Sequence, residues 1–169
     1  MEIALKTVFV LIIVGIATAV ACFIDLVKKK SPYDKVSFRE TMDWCELPIV
    51  TFMNNGKKLN FLLDTGASKS VIHSGALEGL VYESTNKMGD IYGIDGKRQD
   101  ALFISMSIKY KDKDFSEEFQ SVDMSIPFGN LKADFGINLH GILSNAFFQK
   151  YKYVLNFDEL VAYSMVWKI

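Results

Sequence analysis

One stretch of this 169-residue chain combines the residue types and spacing for acid–base chemistry: Leu62-Leu63-Asp64-Thr65-Gly66-Ala67-Ser68. Two leucines suit a buried strand, and Asp64 would then stand at the strand's end. Thr65 offers a hydroxyl that can lock the following turn. Gly66 lets the backbone bend tightly and leaves room beside the carboxylate. Ser68 is placed to hydrogen-bond Asp64 and orient it. A bare Asp-Thr-Gly is common in β-turns. The leading apolar pair and the trailing Ala-Ser point instead to a held carboxylate.

Other reactive side chains offer less. Cys45 stands alone in the polar part of the chain, without the context of a nucleophile, and Cys22 lies in an apolar run. No disulfide is possible within the soluble part, so an oxidising compartment is neither required nor excluded. His73 and His140 are far apart in sequence; His73 reads as a surface or helix-start residue and His140 as structural. No His, Cys or carboxylate cluster has the spacing of a metal site, so neither metal nor cofactor is expected. Asp134-Phe135-Gly136 follows Lys132-Ala133 rather than an apolar strand end and reads as a turn.

The elements that must position Asp64 come from a chain of ordinary composition. Half the residues are hydrophobic and the net charge is −1, which gives no footprint for nucleic acid. Thr7 to Ile24 carries no charge and is closed by Asp25 and Lys28-Lys29-Lys30. Its length and all-round apolarity predict a transmembrane anchor within residues 1–30. A signal peptide cleaved after Ala19-Val20-Ala21, or a lipoprotein signal ending at Cys22, are the alternatives. The three lysines favour a cytoplasmic domain, whereas a signal-anchor would export it. Residues 31–45 read as a polar linker, and the folded domain is expected over residues 46–169.

Within that domain the pattern is mainly β. Leu47 to Met53 and Leu59 to Leu63 flank Asn54-Asn55-Gly56, a strong hairpin signal. Val71-Ile72 is a short strand, and Ser74 to Leu80 holds a helical turn or two. Lys87 to Ser107 reads as a long hairpin around Gly93-Ile94-Asp95-Gly96. Leu102, Ile104, Met106 and Ile108 alternate with more polar neighbours, the period of a strand with one buried face. Phe115 to Met124 returns as another strand. Asn145 to Tyr151 is expected to be the domain's one regular helix. Tyr153 to Phe157 and Val161 to Trp167 close the chain as strands. Val161, Tyr163, Met165, Trp167 and Ile169 share a face that wants a partner sheet, from this chain or a second one.

This order resembles the retropepsin-like aspartic proteases, the single-lobe relatives of pepsin. Asp64 to Ser68 matches their active-site motif throughout, and Gly141-Ile142-Leu143 to Phe157 is similar to their Gly-Ile-Leu segment, helix and strand. The chain departs from the pattern at Ser144, where the family has glycine, and at Ala146, where relatives often carry a polar residue. The resemblance implies a single-lobe closed β-barrel and peptide-bond hydrolysis by a water held between two Asp carboxylates. Asp64 would be catalytic, with Thr65, Gly66, Ala67 and Ser68 supporting the loop. The chain supplies one such motif, so a homodimer is implied, with one Asp64 per subunit. Asp90 to Lys97 falls where the family carries its flap, which makes Tyr92, Gly93, Ile94 and Gly96 candidates for covering a bound peptide; an exposed hairpin without special function is the alternative. The rival to catalysis is an inactive binding or assembly module of the same fold at the membrane.

Overall fold

The architecture follows from alternating strands and two-residue turns. The computed structural model describes residues 35–92 and 98–164, with Thr18 the one described residue before them. The chain divides into two compact units, Met1–Tyr33 and Asp34–Ile169, and the fold described is that of the second. Apart from Thr18, the anchor expected over Thr7 to Ile24 lies outside the described residues. Among the described residues, no helix is long and apolar enough to cross a membrane.

Strand β2 (Ile49–Asn54) turns into β3 (Lys57–Asp64) through Asn55 and Gly56, whose φ angles of 45° and 82° make the hairpin that their side chains tolerate. β4 (Val71–His73) leads to a short 3-10 turn, Ser74–Ala76. β5 (Glu83–Tyr92), β6 (Arg98–Tyr110) and β7 (Lys113–Val122) form an antiparallel meander. β8 (Gly141–Ser144) inserts between β3 and β4, parallel to the first and antiparallel to the second.

The resulting order is β2-β3-β8-β4-β7-β6-β5, and a β2–β6 contact at Met53↔Lys109 closes six of these strands on themselves. Closure removes the open edges that an unpaired sheet would leave. Aromatic rings fill the interior. Phe52 meets Phe61, Tyr110, Phe115 and Phe147, and Phe61 stacks on Phe119 at 5.5 Å. Ile104, Met106 and Ile108 point inward from β6, as the alternation predicts, whereas Leu102 is exposed and its neighbour Ala101 is buried instead.

The boundary of the folded unit lies earlier than the sequence suggests. Residues expected to be linker form β1 (Lys35–Ser37) and helix α1 (Arg39–Cys45). The physical reason is that a few apolar residues sit at the right intervals. Val36 and Phe38 enter the main core, while Met42 packs on it and Cys45 joins a second apolar cluster. The Thr41 hydroxyl also bonds both backbone groups of Ile49, tying α1 to β2.

The helix count also differs. Besides α1 there are α2 (Ser125–Phe135) and α3 (Asn145–Tyr151), the last being the helix expected. Asp134 and Phe135 end α2 rather than forming a free turn, and Gly136 caps it at φ 69°. Phe128, Leu131 and Phe135 place α2 against Ile49, Ile137 and Leu139.

Within the described residues, both edges of the last strand are paired inside the chain. β10 (Val161–Ser164) lies between β9 (Tyr153–Asn156) and β1. Its buried residues are Ala162 and Ser164, on the face opposite to Val161 and Tyr163. Met165, Trp167 and Ile169 lie outside the described residues.

Candidate active site

Asp64 is delivered by the strand alternation of β3. Leu59, Phe61 and Leu63 are buried in the barrel, so Asn60, Leu62 and Asp64 take the other face and stay half-buried. The carboxylate therefore stands at the strand's end without entering the core, where a charge would be costly. The Gly66 N–H donates a 2.7 Å hydrogen bond to Asp64 Oδ1. A Cβ on residue 66 would lie 3.2 Å from that oxygen, so a larger residue would press on the carboxylate.

Ser68 does not take the orienting role expected of it. Among the described residues it makes no hydrogen bond to Asp64; the backbone turns at Thr65-Gly66, bringing the Gly66 N–H to the carboxylate and leaving Ser68 exposed beyond it. Thr65 and Gly66 are exposed as well. Ala67 is half-buried, and its carbonyl accepts from the Asn145 N–H at 2.9 Å.

The end of β8 underpins the loop. Asp64 pairs in register with Ser144, the position where the resemblance expects glycine. Ser144 is fully buried, and its hydroxyl lies 3.2 Å from Ser70 Oγ. Ser70 in turn donates to Glu117 Oε1 at 2.9 Å, and Lys150 Nζ lies 3.4 Å from Glu117 Oε2. A serine thus fits here because its polar group is bonded. Ala146 is exposed at the start of α3. Sequence reasoning missed Ser70 and Glu117. The available signal was Glu117 itself, a charged residue on the inward period of β7 between Phe115 and Phe119.

The candidate flap is the β5–β6 hairpin, in register at Asp90↔Asp100, Ile91↔Gln99 and Tyr92↔Arg98. Tyr92 ends β5, whereas Gly93, Ile94 and Gly96 lie outside the described residues. The structure gives both histidines backbone duties. His73 Nδ1 accepts from the Met124 N–H and His140 Nδ1 from the Asn60 N–H, each at 3.1 Å. Burial, the largest effect, lowers the His140 pKa; the bond to Asn138 opposes it without cancelling it, and nearby His73 adds a smaller lowering push. Cys45 is buried and its thiol bonds the Thr41 carbonyl. Among the described residues, no three His, Cys, Asp or Glu side chains gather as metal ligands do.

A strand-end carboxylate on an Asp-Thr-Gly turn, set in a closed β-barrel, defines an aspartic-peptidase type of domain. The chain belongs to the aspartyl protease family, whose model matches residues 50–135, just over half of its length. Among solved structures it is similar to EIAV protease complexed with the inhibitor HBY-793, at 24% identity and a TM-score of 0.47, over 62% of this chain and 86% of that one. No curated protein matches it.

Proposed function

We propose that this protein is an aspartic endopeptidase working as a homodimer, each subunit contributing Asp64. The observation that carries the reading is the held carboxylate at the end of β3, in a chain of the aspartyl protease family that has a single Asp-Thr-Gly motif. Two such carboxylates brought together on a two-fold axis cannot both ionise easily, so they share a proton. The ionised partner draws a proton from a water held between them. The protonated partner polarises the substrate carbonyl. The pair titrates as a unit. Peptide or protein would bind extended beneath the hairpin that ends in Tyr92, whose closure would exclude water. Anchoring through residues 7–24 in a membrane would favour pairing by raising the effective concentration of subunits. Ser144, the departure from the family pattern, is accommodated beside Asp64 with its hydroxyl bonded.

The test is digestion of an unfolded protein by the full chain from acidic to neutral pH, beside Asp64→Asn. Cleavage by the parent that vanishes in the variant is the expected result. Equal cleavage by both, or none by a folded dimer, overturns the proposal.

A further inference from the structure

Beneath the Asp64 loop runs a line of buried polar groups that the proposed chemistry does not use. Glu117 is 6% exposed, Ser70 1% and Ser144 0%. Glu117 sits on the inward face of β7 between Phe115 and Phe119, both of which belong to the barrel core. A carboxylate in such a place costs stability unless it is bonded. Here Oε1 accepts from the Ser70 hydroxyl at 2.9 Å, and Oε2 faces Lys150 Nζ at 3.4 Å.

The direction of the remaining bonds follows by counting hydrogens. A serine hydroxyl has one hydrogen, and that of Ser70 goes to Glu117. The contact between the Ser70 and Ser144 hydroxyls, at 3.2 Å, must therefore be donated by Ser144. The Ser144 N–H also donates to Ser70 Oγ, at 3.3 Å. The chain runs Ser144 to Ser70 to Glu117, and it ends on an acceptor.

Its placement matters more than its existence. Asp64 and Ser70 are the two ends of the active-site loop. Ser144 pairs in register with the first and bonds the second, while Asn145 bonds Ala67 in the middle. The Ser70 carbonyl is also taken, by the Gln120 N–H of β7 at 2.9 Å. One short segment, Ser144-Asn145, thus holds the loop at three points, and Glu117 fixes the hydroxyl on which that hold depends.

We infer that Glu117 is a positioning residue for the reaction, acting through Ser70 and Ser144 on the loop that carries Asp64. The inference rests on the aspartic-endopeptidase reading. Without an acceptor at residue 117, the Ser70 hydroxyl re-aims, and Ser144 loses its fixed partner. The carboxylate is then held less closely to its productive geometry, and displacements of about 1 Å can cost about a hundredfold in rate.

The test measures kcat and KM per folded dimer for the full-length parent, Asp64→Asn, Glu117→Leu, Glu117→Gln and Ser70→Ala. Glu117→Leu and Ser70→Ala are expected to lose about ten- to a hundredfold in kcat with KM unchanged. The double variant should be no worse than either single one, because both break one chain. Glu117→Gln keeps an acceptor oxygen and should retain most of the activity. Ser70→Ala removes a single oxygen, so it carries the test if Glu117→Leu does not fold. Unchanged kcat in these variants, whatever their melting temperature, overturns the positioning role alone. So does a loss in Glu117→Gln as large as in Glu117→Leu. Absence of Asp64-dependent cleavage by the parent overturns the functional reading and this inference with it.

Discussion

Alanine in place of glycine should have opposite effects at two positions of this fold. Gly141 opens β8, between Phe61 of β3 and Ile72 of β4. A Cβ there would stand 2.4 Å from the Val71 carbonyl oxygen and 2.6 and 2.9 Å from two ring carbons of Phe61. Neither neighbour can yield. The first is backbone, and the second is fully buried, stacked on Phe119 and edge-on to Phe52. The strand itself must shift, which places the cost at about 3 kcal/mol, the upper part of the range for overpacked cores. That corresponds to a fall of about 10 °C in melting temperature. Gly129 is the contrast: it lies in α2, exposed, with nothing within 4 Å of the added carbon. Alanine there should stabilise by up to about 1 kcal/mol through helix propensity. Thermal and urea unfolding followed by far-UV circular dichroism would read both variants. Because β8 also carries Ser144 opposite Asp64, Gly141→Ala should lose cleavage even well below its melting point. A Gly141→Ala protein that melts with the parent would refute the packing argument.

Two further outcomes follow from the structure. A chain starting at residue 46 loses Val36 and Phe38 from the core and uncovers one edge of β10, so it should be about 3–6 kcal/mol less stable than one starting at residue 34; equal denaturation midpoints would show that β1 and α1 are dispensable. His140 has a folded-state pKa below its unfolded value, chiefly from burial, so its neutral form is the one the fold accepts. The unfolded chain then binds the extra proton, and stability should fall as pH drops below the ordinary histidine value of 6.5 towards the lowered one. His140→Asn, which keeps an acceptor for the Asn60 N–H, should flatten that slope; an unchanged slope in urea titrations across this range would count against the assignment.

The barrel was legible where a strong local signal coincided with the global fold. Asn55-Gly56 announced the β2–β3 hairpin, and the alternation from Ile104 to Ile108 announced β6. The Asp64 turn was readable because its residue types are dictated by close backbone geometry, although the orienting donor proved to be the Gly66 N–H rather than the Ser68 hydroxyl. Illegible parts had few apolar residues or a misleading period. In β1 and α1 a few side chains do the packing among many charges, so the stretch reads as linker. In α2 the Pro127 and Gly129 pair hides the spacing of Phe128, Leu131 and Phe135. On β10 the larger side chains lie on one face while small Ala162 and Ser164 are the buried ones. The Ser144–Ser70–Glu117 line joins residues far apart in sequence, and no local pattern encodes it.

The central claim, that two copies of Asp64 act in one dimer, is tested most directly by mixing subunits. A fixed amount of parent chain is exchanged with a ninefold excess of Asp64→Asn, and cleavage is measured after equilibration. If every active dimer needs both carboxylates, random pairing leaves about a tenth of the original activity. Activity that stays at its starting level, with exchange of subunits demonstrated, would contradict the account.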